Sequence, residues 1–193
     1  MRIISGKFKG QQLVSFQADH IRPTTDRVKE TIFNKIQFEI AGSRILDLFC
    51  GTGNLGLEAL SREASHCTFV ESHAKSLQIT RSNIQKLKVE ESLYRIINQD
   101  VLRFLKSYRG EPFDIIFADP PFTKKMADEV MAIASHSEIF GSQSILAIES
   151  QAKEKMLAEY PPLVRFDFKE YGDKVLSFFR LNESAATLAA ELE

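Results

Sequence analysis

The chain has 193 residues, is 44% hydrophobic and carries a formal net charge of -1, which is typical of one α/β domain with its own core. Its two cysteines, Cys50 and Cys67, do not follow a metal-binding spacing, and its four histidines are scattered. No apolar run approaches the roughly 20 residues of a membrane span, and the first residues lack the apolar core of a signal peptide. These features argue against a membrane protein or a disulfide scaffold and predict a metal-free protein of the reducing cytoplasm. We expect it to be a monomer.

The first 40 residues precede the region of predicted strands. Residues 1–16 contain Gly6 and Gly10 and predict a small β-hairpin, while Thr25 is a candidate N-cap for a following helix. The apolar stripe of that helix would consist of Val28, Ile32 and Ile36.

The same part of the chain is basic. Residues 1–35 contain seven basic and three acidic side chains, a local charge of +4 in a chain whose net charge is -1. A local positive patch is what binding to nucleic acid phosphates requires, although accidental clustering on a solvated surface is the alternative. The candidate RNA-binding residues are Arg2, Lys7, Lys9, Arg22 and Arg27.

Five short apolar runs follow, separated by segments with helical spacing. The predicted strands are residues 44–49, 67–71, 94–98, 113–118 and 144–149. Helical spacing is found for Leu77, Arg81, Ile84 and Leu87, and again for Met126, Val130, Ile133 and Ala134. Because continuous apolar runs indicate strands covered on both faces, the pattern predicts a doubly wound, mainly parallel sheet of the Rossmann-like α/β class.

A glycine-rich loop follows the first predicted strand. Residues 51–56 read G-x-G-x-x-G, with Glu71 about 20 residues after Gly51. Asp47 lies at the end of the strand that feeds this loop, where a carboxylate would repel a pyrophosphate and attract a cationic sulfonium. The loop therefore fits S-adenosylmethionine better than a dinucleotide. Its candidate cofactor-binding residues are Asp47, Phe49, Gly51, Thr52 and Gly53.

Two further acids end predicted strands. The Glu71 carboxylate could accept hydrogen bonds from both ribose hydroxyls, and Asp100 could accept one from an adenine amino group. The backbone N–H of Val101 could meet an adenine ring nitrogen. Alternative roles are helix capping for Asp100 and a solvated strand end for Glu71.

The segment Asp119-Pro120-Pro121-Phe122 follows the fourth predicted strand. A base amine is a poor nucleophile, and acceptors for its N–H groups favour its pyramidal form in the transition state of methyl transfer. The Asp119 carboxylate and the Pro120 carbonyl are candidate acceptors, and Phe122 is a candidate stacking platform for the base. A rigid turn with a core phenylalanine is the alternative reading.

The last part of the chain differs in character. Residues 163–168 and 175–179 predict two strands joined through Tyr171-Gly172-Asp173, a hairpin that adds antiparallel strands to the sheet edge. Residues 182–193 predict a polar tail. We expect three parts, namely an RNA-contacting extension at 1–40, a methyltransferase domain at 41–181 and the tail at 182–193.

Three segments of the chain carry a family resemblance, namely residues 22–30, the strand end and glycine loop at 47–53, and the segment at 119–122. In order and spacing they resemble the RsmD family of 16S ribosomal RNA guanine-N2 methyltransferases. The resemblance runs from Met1 to about Leu181. It implies a seven-strand methyltransferase fold with an N-terminal extension, and as substrate the 16S rRNA of the small ribosomal subunit or its assembly intermediate. It also implies that Arg22 and Arg27 contact RNA or order the rim of the active site, and that Thr25 approaches the cofactor.

Two other functions remain open on the sequence. A methyltransferase acting on adenine N6 of nucleic acid or on a glutamine amide places a similar Pro-Pro-aromatic motif at the same strand end. A catalytically silent RNA-binding module with the same fold is the second alternative, although such a module does not need acids at Asp47, Glu71 and Asp119.

Overall fold

The computed structural model describes residues 1–15, 26–121 and 126–182. The chain divides into two compact units, one comprising Met1–Val101 and the other beginning at Leu102. The described ranges contain five helices of more than one turn and eight strands. None of these helices combines the length and apolar character that crossing a lipid bilayer requires.

The first unit begins with residues 1–15, which fold back as the predicted small hairpin. Its arms form an antiparallel bridge between Arg2 and Gln12, and the Ile3 and Leu13 N–H groups donate to the Gln11 and Met1 carbonyls at 3.0 Å. Its regular elements are α1 (Asp26–Lys35), β1 (Arg44–Leu48), α2 (Asn54–Ser61), β2 (His66–Glu71), α3 (Ala74–Lys86), a one-turn 3-10 helix (Glu91–Leu93) and β3 (Tyr94–Asn98). The predicted stripe of α1 is buried, since Val28, Ile32 and Ile36 are all at most 3% exposed.

The strands of the first unit form a parallel sheet in the order β3-β2-β1. Leu48 of β1 pairs with Val70 of β2, and Glu71 pairs with Asn98 of β3, so the carboxyl ends of all three strands lie at one edge. This register brings the ends of the strands that carry or precede Asp47, Glu71 and Asp100 to the same side of the sheet.

The helix α4 (Val101–Ser107) begins at the last residue of the first unit. The second unit then contains β4 (Phe113–Ala118), α5 (Ala127–Ala134), β5 (Phe140–Gln151), β6 (Glu159–Tyr160), β7 (Leu163–Tyr171) and β8 (Lys174–Leu181). Its strands lie in the order β4-β5-β8-β7-β6.

In this unit β4 and β5 are parallel, whereas β8, β7 and β6 add antiparallel pairs. The predicted fold class and closing hairpin are therefore confirmed, with Gly172 at a φ of 62° in the turn between β7 and β8. In the described ranges the strands number eight instead of seven, because the two-residue β6 pairs with the start of β7. The fifth strand is longer than predicted, since Phe140 already pairs with Phe113 ahead of a bulge.

Candidate functional site

The glycine loop between β1 and α2 turns sharply. Phe49, Gly51 and Gly53 have φ angles of 57°, 56° and 77°, the left-handed region that L side chains rarely adopt. Of the atoms in the described residues, a Cβ added to Gly51 would meet only the Phe49 carbonyl oxygen, at 3.8 Å, so these residues leave open space on that side of the loop. A non-glycine residue held at positive φ is the kind of local strain found at ligand-binding turns.

The Asp47 carboxylate is built into this loop. It is 2% exposed, and its Oδ2 accepts a hydrogen bond of 2.9 Å from the backbone N–H of Gly56 in the first turn of α2. The preceding cap residue, Gly53, supplies no side-chain hydrogen bond to the helix. Asp47 therefore already compensates the positive end of the α2 dipole, which leaves this helix N-terminus poorly suited to a second anion.

Gly56 allows α2 to lie close to β2. A Cβ at this position would be 2.4 Å from the Phe69 ring and 2.5 Å from the Cys67 sulfur. The third glycine of the motif is thus required for helix–strand packing.

The Glu71 carboxylate lies across the end of the loop. Its Oε2 accepts from the Gly51 backbone N–H at 3.2 Å, and its Oε1 accepts from the His73 backbone N–H at 2.8 Å. Each carboxylate oxygen has a further lone pair for a ligand hydroxyl. Asp100 is exposed and directly precedes α4, and Val101 begins that helix at 2% exposure, so both the adenine-binding and the capping role of Asp100 stay open.

Two buried polar residues of α3 hold the loop from behind and were not predicted from the sequence. The Thr80 hydroxyl donates to the Gly51 carbonyl at 2.8 Å, and the Asn83 amide donates to the Thr52 carbonyl at 2.9 Å. Both residues are 0% exposed. The spacing of Ser76, Thr80 and Asn83, which places three polar residues on one helical face, was the signal available in the sequence.

The N-terminal segment is attached to α2 by an ionic cluster that also reaches the loop. Lys29 is 0% exposed and its Nζ lies 3.0 Å from Glu58 Oε2 and 2.9 Å from Asn54 Oδ1. Glu58 further accepts from the backbone N–H groups of Ile4 and Ser5, at 2.8 Å and 3.0 Å, and from Arg62 Nε at 2.9 Å. Burial lowers the pKa of Lys29, although the Glu58 carboxylate opposes that shift.

This cluster corrects the count of basic surface residues, because Lys29 is a buried structural cation. Arg2 is exposed but forms an ion pair of 3.2 Å with Asp26. Lys7, Lys9 and Arg27 are exposed. Arg22 and Thr25 lie outside the described residues.

In the second unit, Asp119 directly follows β4 and is half-buried, and Pro120 is buried. Phe122 lies outside the described residues. Because Ala118 pairs with Ile148 in the parallel register of β4 and β5, Asp119 and Glu149 are neighbours at the carboxyl ends of these strands. Glu149 is 3% exposed and forms an ion pair with Lys174 of β8.

The Glu149 carboxyl has an unusual titration. Burial, reinforced by the negative charge of Asp119, raises its pKa to about 7, although Lys174 opposes the shift. Sequence reasoning included Glu149 in the fifth strand but assigned it no role. The available signal was its position as another acid at the end of a predicted strand.

The cysteines do not supply a nucleophile. Both are buried, and burial raises the pKa of each thiol well above its usual value. Among the residues described, no group of three or more His, Cys, Asp or Glu side chains is arranged to hold a metal ion.

The chain is also similar to known proteins in sequence and in fold. Residues 1–180 match the family model described as "Conserved hypothetical protein 95". The chain is 37% identical over 158 residues to "Ribosomal RNA small subunit methyltransferase D" of Haemophilus influenzae, with 81% of each chain covered. It is 35% identical over 153 residues to the protein of that name from Escherichia coli strain K12, covering 79% of this chain and 76% of the relative.

A solved structure, "Putative methyltransferase yhhF from Escherichia coli", superposes with a TM-score of 0.83 and 29% identity. It covers 94% of this chain, and 98% of that chain is matched. The Rossmann-like methyltransferase fold and the family resemblance inferred from the sequence are therefore confirmed.

Proposed function

The chain belongs to the Conserved hypothetical protein 95 family. Because it is also 35–37% identical to two proteins named ribosomal RNA small subunit methyltransferase D, we propose that it transfers a methyl group to RNA. The donor is S-adenosylmethionine, and the acceptor is the exocyclic N2 of a specific guanine in 16S rRNA. The substrate is the small ribosomal subunit or its assembly intermediate, and the enzyme acts as a cytoplasmic monomer. The observation that carries the proposal is the glycine loop capped by Asp47.

The loop fits the cofactor in two respects. The space beside Gly51 admits a ligand close to the backbone, and the Asp47 carboxylate occupies the position where a dinucleotide would place its pyrophosphate. Asp47, Phe49, Gly51, Thr52 and Gly53 would hold the amino acid part, Glu71 the ribose, and Asp100 with Val101 the adenine. When bound, S-adenosylmethionine supplies an electrophilic methyl group on a sulfonium, so the protein needs no nucleophile of its own.

The chain's contribution to the reaction is acceptance and positioning. The Asp119 carboxylate and the Pro120 carbonyl accept hydrogen bonds from the two N–H groups of the guanine amine. These bonds favour the pyramidal nitrogen of the transition state. Phe122 stacks against the base, which must leave its own stack to reach these groups. Positioning of amine and methyl group supplies most of the rate enhancement.

The test is methyl transfer from labelled S-adenosylmethionine to small ribosomal subunits that lack the modification, followed by nucleoside analysis. Labelled N2-methylguanosine is the expected product. Labelled N6-methyladenosine would replace the guanine assignment with adenine N6. A release factor is offered in parallel as a protein substrate, and label in it would indicate methylation of a glutamine amide instead. If calorimetry detects no binding of S-adenosylmethionine or its demethylated product, the chain is a silent RNA-binding module.

The role of Asp119 is tested by Asp119→Ala, for which we expect kcat to fall about 10²–10³-fold, the usual cost of one lost transition-state contact. Cofactor affinity should remain within an order of magnitude. The matched control is Asp114→Ala, which removes an exposed carboxylate from β4, the strand that Asp119 follows, and should leave kcat unchanged. Full activity of the Asp119→Ala enzyme would contradict the mechanism.

A further inference from the structure

Three charged side chains meet on adjacent strands at the end of the second unit that carries Asp119. Asp119 follows β4, Glu149 lies near the end of β5, and Lys174 begins β8. The parallel register places Asp119 beside Glu149, and the antiparallel register pairs Lys174 with Gln151, two residues beyond Glu149 on the same face of β5. Lys174 reaches back along the strand to form an ion pair with Glu149 Oε1.

The cluster has more acids than bases. Glu149 and Lys174 are 3% and 8% exposed, so neither can rely on solvent to stabilise its charge. Glu149 Oε1 accepts from Lys174, whereas Glu149 Oε2 is buried and makes no hydrogen bond in the described part of the chain. Glu149 on β5 lies between Asp119, after β4, and Lys174 on β8. The two neighbouring carboxylates repel each other unless they share a proton.

Glu149 is therefore the group in this cluster whose surroundings favour the protonated form. Burial and the charge of Asp119 raise its pKa to about 7, and Lys174 keeps the pKa from rising further. Within the described residues, these are the two charged groups that act on Glu149 from the neighbouring strands, Asp119 after β4 and Lys174 on β8. A protonated Glu149 has one O–H donor, which its buried Oε2 can direct to Asp119.

We propose that Glu149, oriented by Lys174, is a positioning residue for Asp119: its neutral carboxyl donates a hydrogen bond to the Asp119 carboxylate and leaves Asp119 as the anion that accepts the substrate amine. This role rests on the proposed function, because it acts through the acceptor of the methylated amine. Loss of the proton from Glu149 at higher pH removes the donor and adds a like charge beside Asp119. Methyl transfer should then decline on the alkaline side.

The activity test compares Glu149→Gln with Glu149→Ala across pH 6 to 9. We expect kcat of the unmodified enzyme to decline on the alkaline side, beginning near pH 7. Glutamine keeps a donor at the same position and cannot ionise, so the Gln variant should lose this decline. Alanine removes the donor, and kcat should fall about 10- to 100-fold, a usual cost of losing a group that orients an active-site residue. The Gln variant should exceed the Ala variant at least tenfold.

A third variant tests the sign of the lysine's effect. Because Lys174 lowers the pKa of Glu149, Lys174→Met should raise that pKa and move the alkaline decline to higher pH. An alkaline limb that is identical in the unmodified, Gln and Met enzymes would overturn the proposal. Equal impairment of the Gln and Ala variants would also overturn it, because a merely structural role predicts no rescue by glutamine.

A second readout does not depend on methyl transfer. In the ligand-free protein with 13C-labelled glutamate carboxyls, the resonance that disappears in Glu149→Gln should titrate near pH 7. In Asp119→Asn the same resonance should titrate at lower pH, since the neighbouring negative charge is gone. If the resonance of the unmodified protein titrates near the ordinary pKa of a glutamate, the shared proton is rejected. If it titrates near pH 7 but no methylated RNA is formed, only the proposed function is rejected.

Discussion

Each unit of the protein contains a buried lysine–glutamate pair, and the two pairs have different surroundings. Glu58 accepts hydrogen bonds from Lys29, from Arg62 and from two backbone N–H groups, so both of its carboxylate oxygens have donors. Glu149 accepts from Lys174 at one oxygen and has Asp119 as its neighbour at the strand end. Where donors are abundant, as around Glu58, the lysine–glutamate pair attaches the N-terminal segment to α2. Where acids are in excess, as around Glu149, the same pair of residue types forms a proton-binding site.

The largest expected effect comes from breaking the first pair. Glu58→Ala leaves the Lys29 ammonium buried and removes the acceptor for Ile4 and Ser5, so we expect the free energy of unfolding to fall by about 3–5 kcal/mol. Urea unfolding monitored by circular dichroism measures this change. The control, Glu39→Ala, removes an exposed carboxylate of the same unit and should change stability by less than about 0.5 kcal/mol. If Glu58→Ala also lowered the free energy of unfolding by less than about 0.5 kcal/mol, the cluster would not be what attaches the N-terminal segment to α2.

The next largest expected effect is the pH dependence of stability that Glu149 contributes. The pKa of Glu149 is raised in the folded protein from 4.5 to about 7, so the folded state binds a proton that the unfolded chain releases. The resulting stabilisation is complete below about pH 4.5 and is lost as pH rises through about 7, a total of about 3 kcal/mol. The stability difference between the unmodified protein and Glu149→Gln should follow this curve in urea titrations at successive pH values. Parallel stability curves for the two proteins would contradict the assignment.

The smallest effect on stability concerns an exposed pair, Arg2 and Asp26, whose side chains are 58% and 44% exposed. Arg2→Ala should lower the free energy of unfolding by less than about 1 kcal/mol, because solvent screens such pairs. If Arg2 also contacts phosphate, the variant should reduce by about 1 the slope of log affinity for ribosomal RNA against log salt concentration. An unchanged slope would remove Arg2 from the proposed RNA-binding surface, with Lys7→Ala as the comparison.

The sequence could predict the features that depend on local pattern. Continuous apolar runs gave the five strands from Arg44 to Glu149 to within a few residues, since strands covered on both faces need apolar side chains throughout. The glycine loop was recognisable because positive φ angles at Gly51 and Gly53 restrict the residue type.

Long-range partners could not be predicted. Lys29 contributed to the positive charge counted for residues 1–35, yet it is buried against Glu58. Glu58 lies 29 residues further along the chain, and no local pattern connects the two. The burial of Lys29 was partly visible, because Lys29 and Phe33 are four residues apart on the same side of α1. Glu149 and Lys174 come together only through the pairing of β5 with β8.

The attachment of the N-terminal segment also has a consequence for synthesis of the protein. The backbone of Val14 exchanges two hydrogen bonds with the Asn83 side chain, 2.7 Å and 3.0 Å long and spanning 69 residues. At a translation rate of about 5–20 residues per second, Asn83 is made about 3–14 seconds after Val14. The segment around Val14 therefore makes these bonds only after α3 has been synthesised, and the glycine loop acquires its support from Asn83 at the same stage.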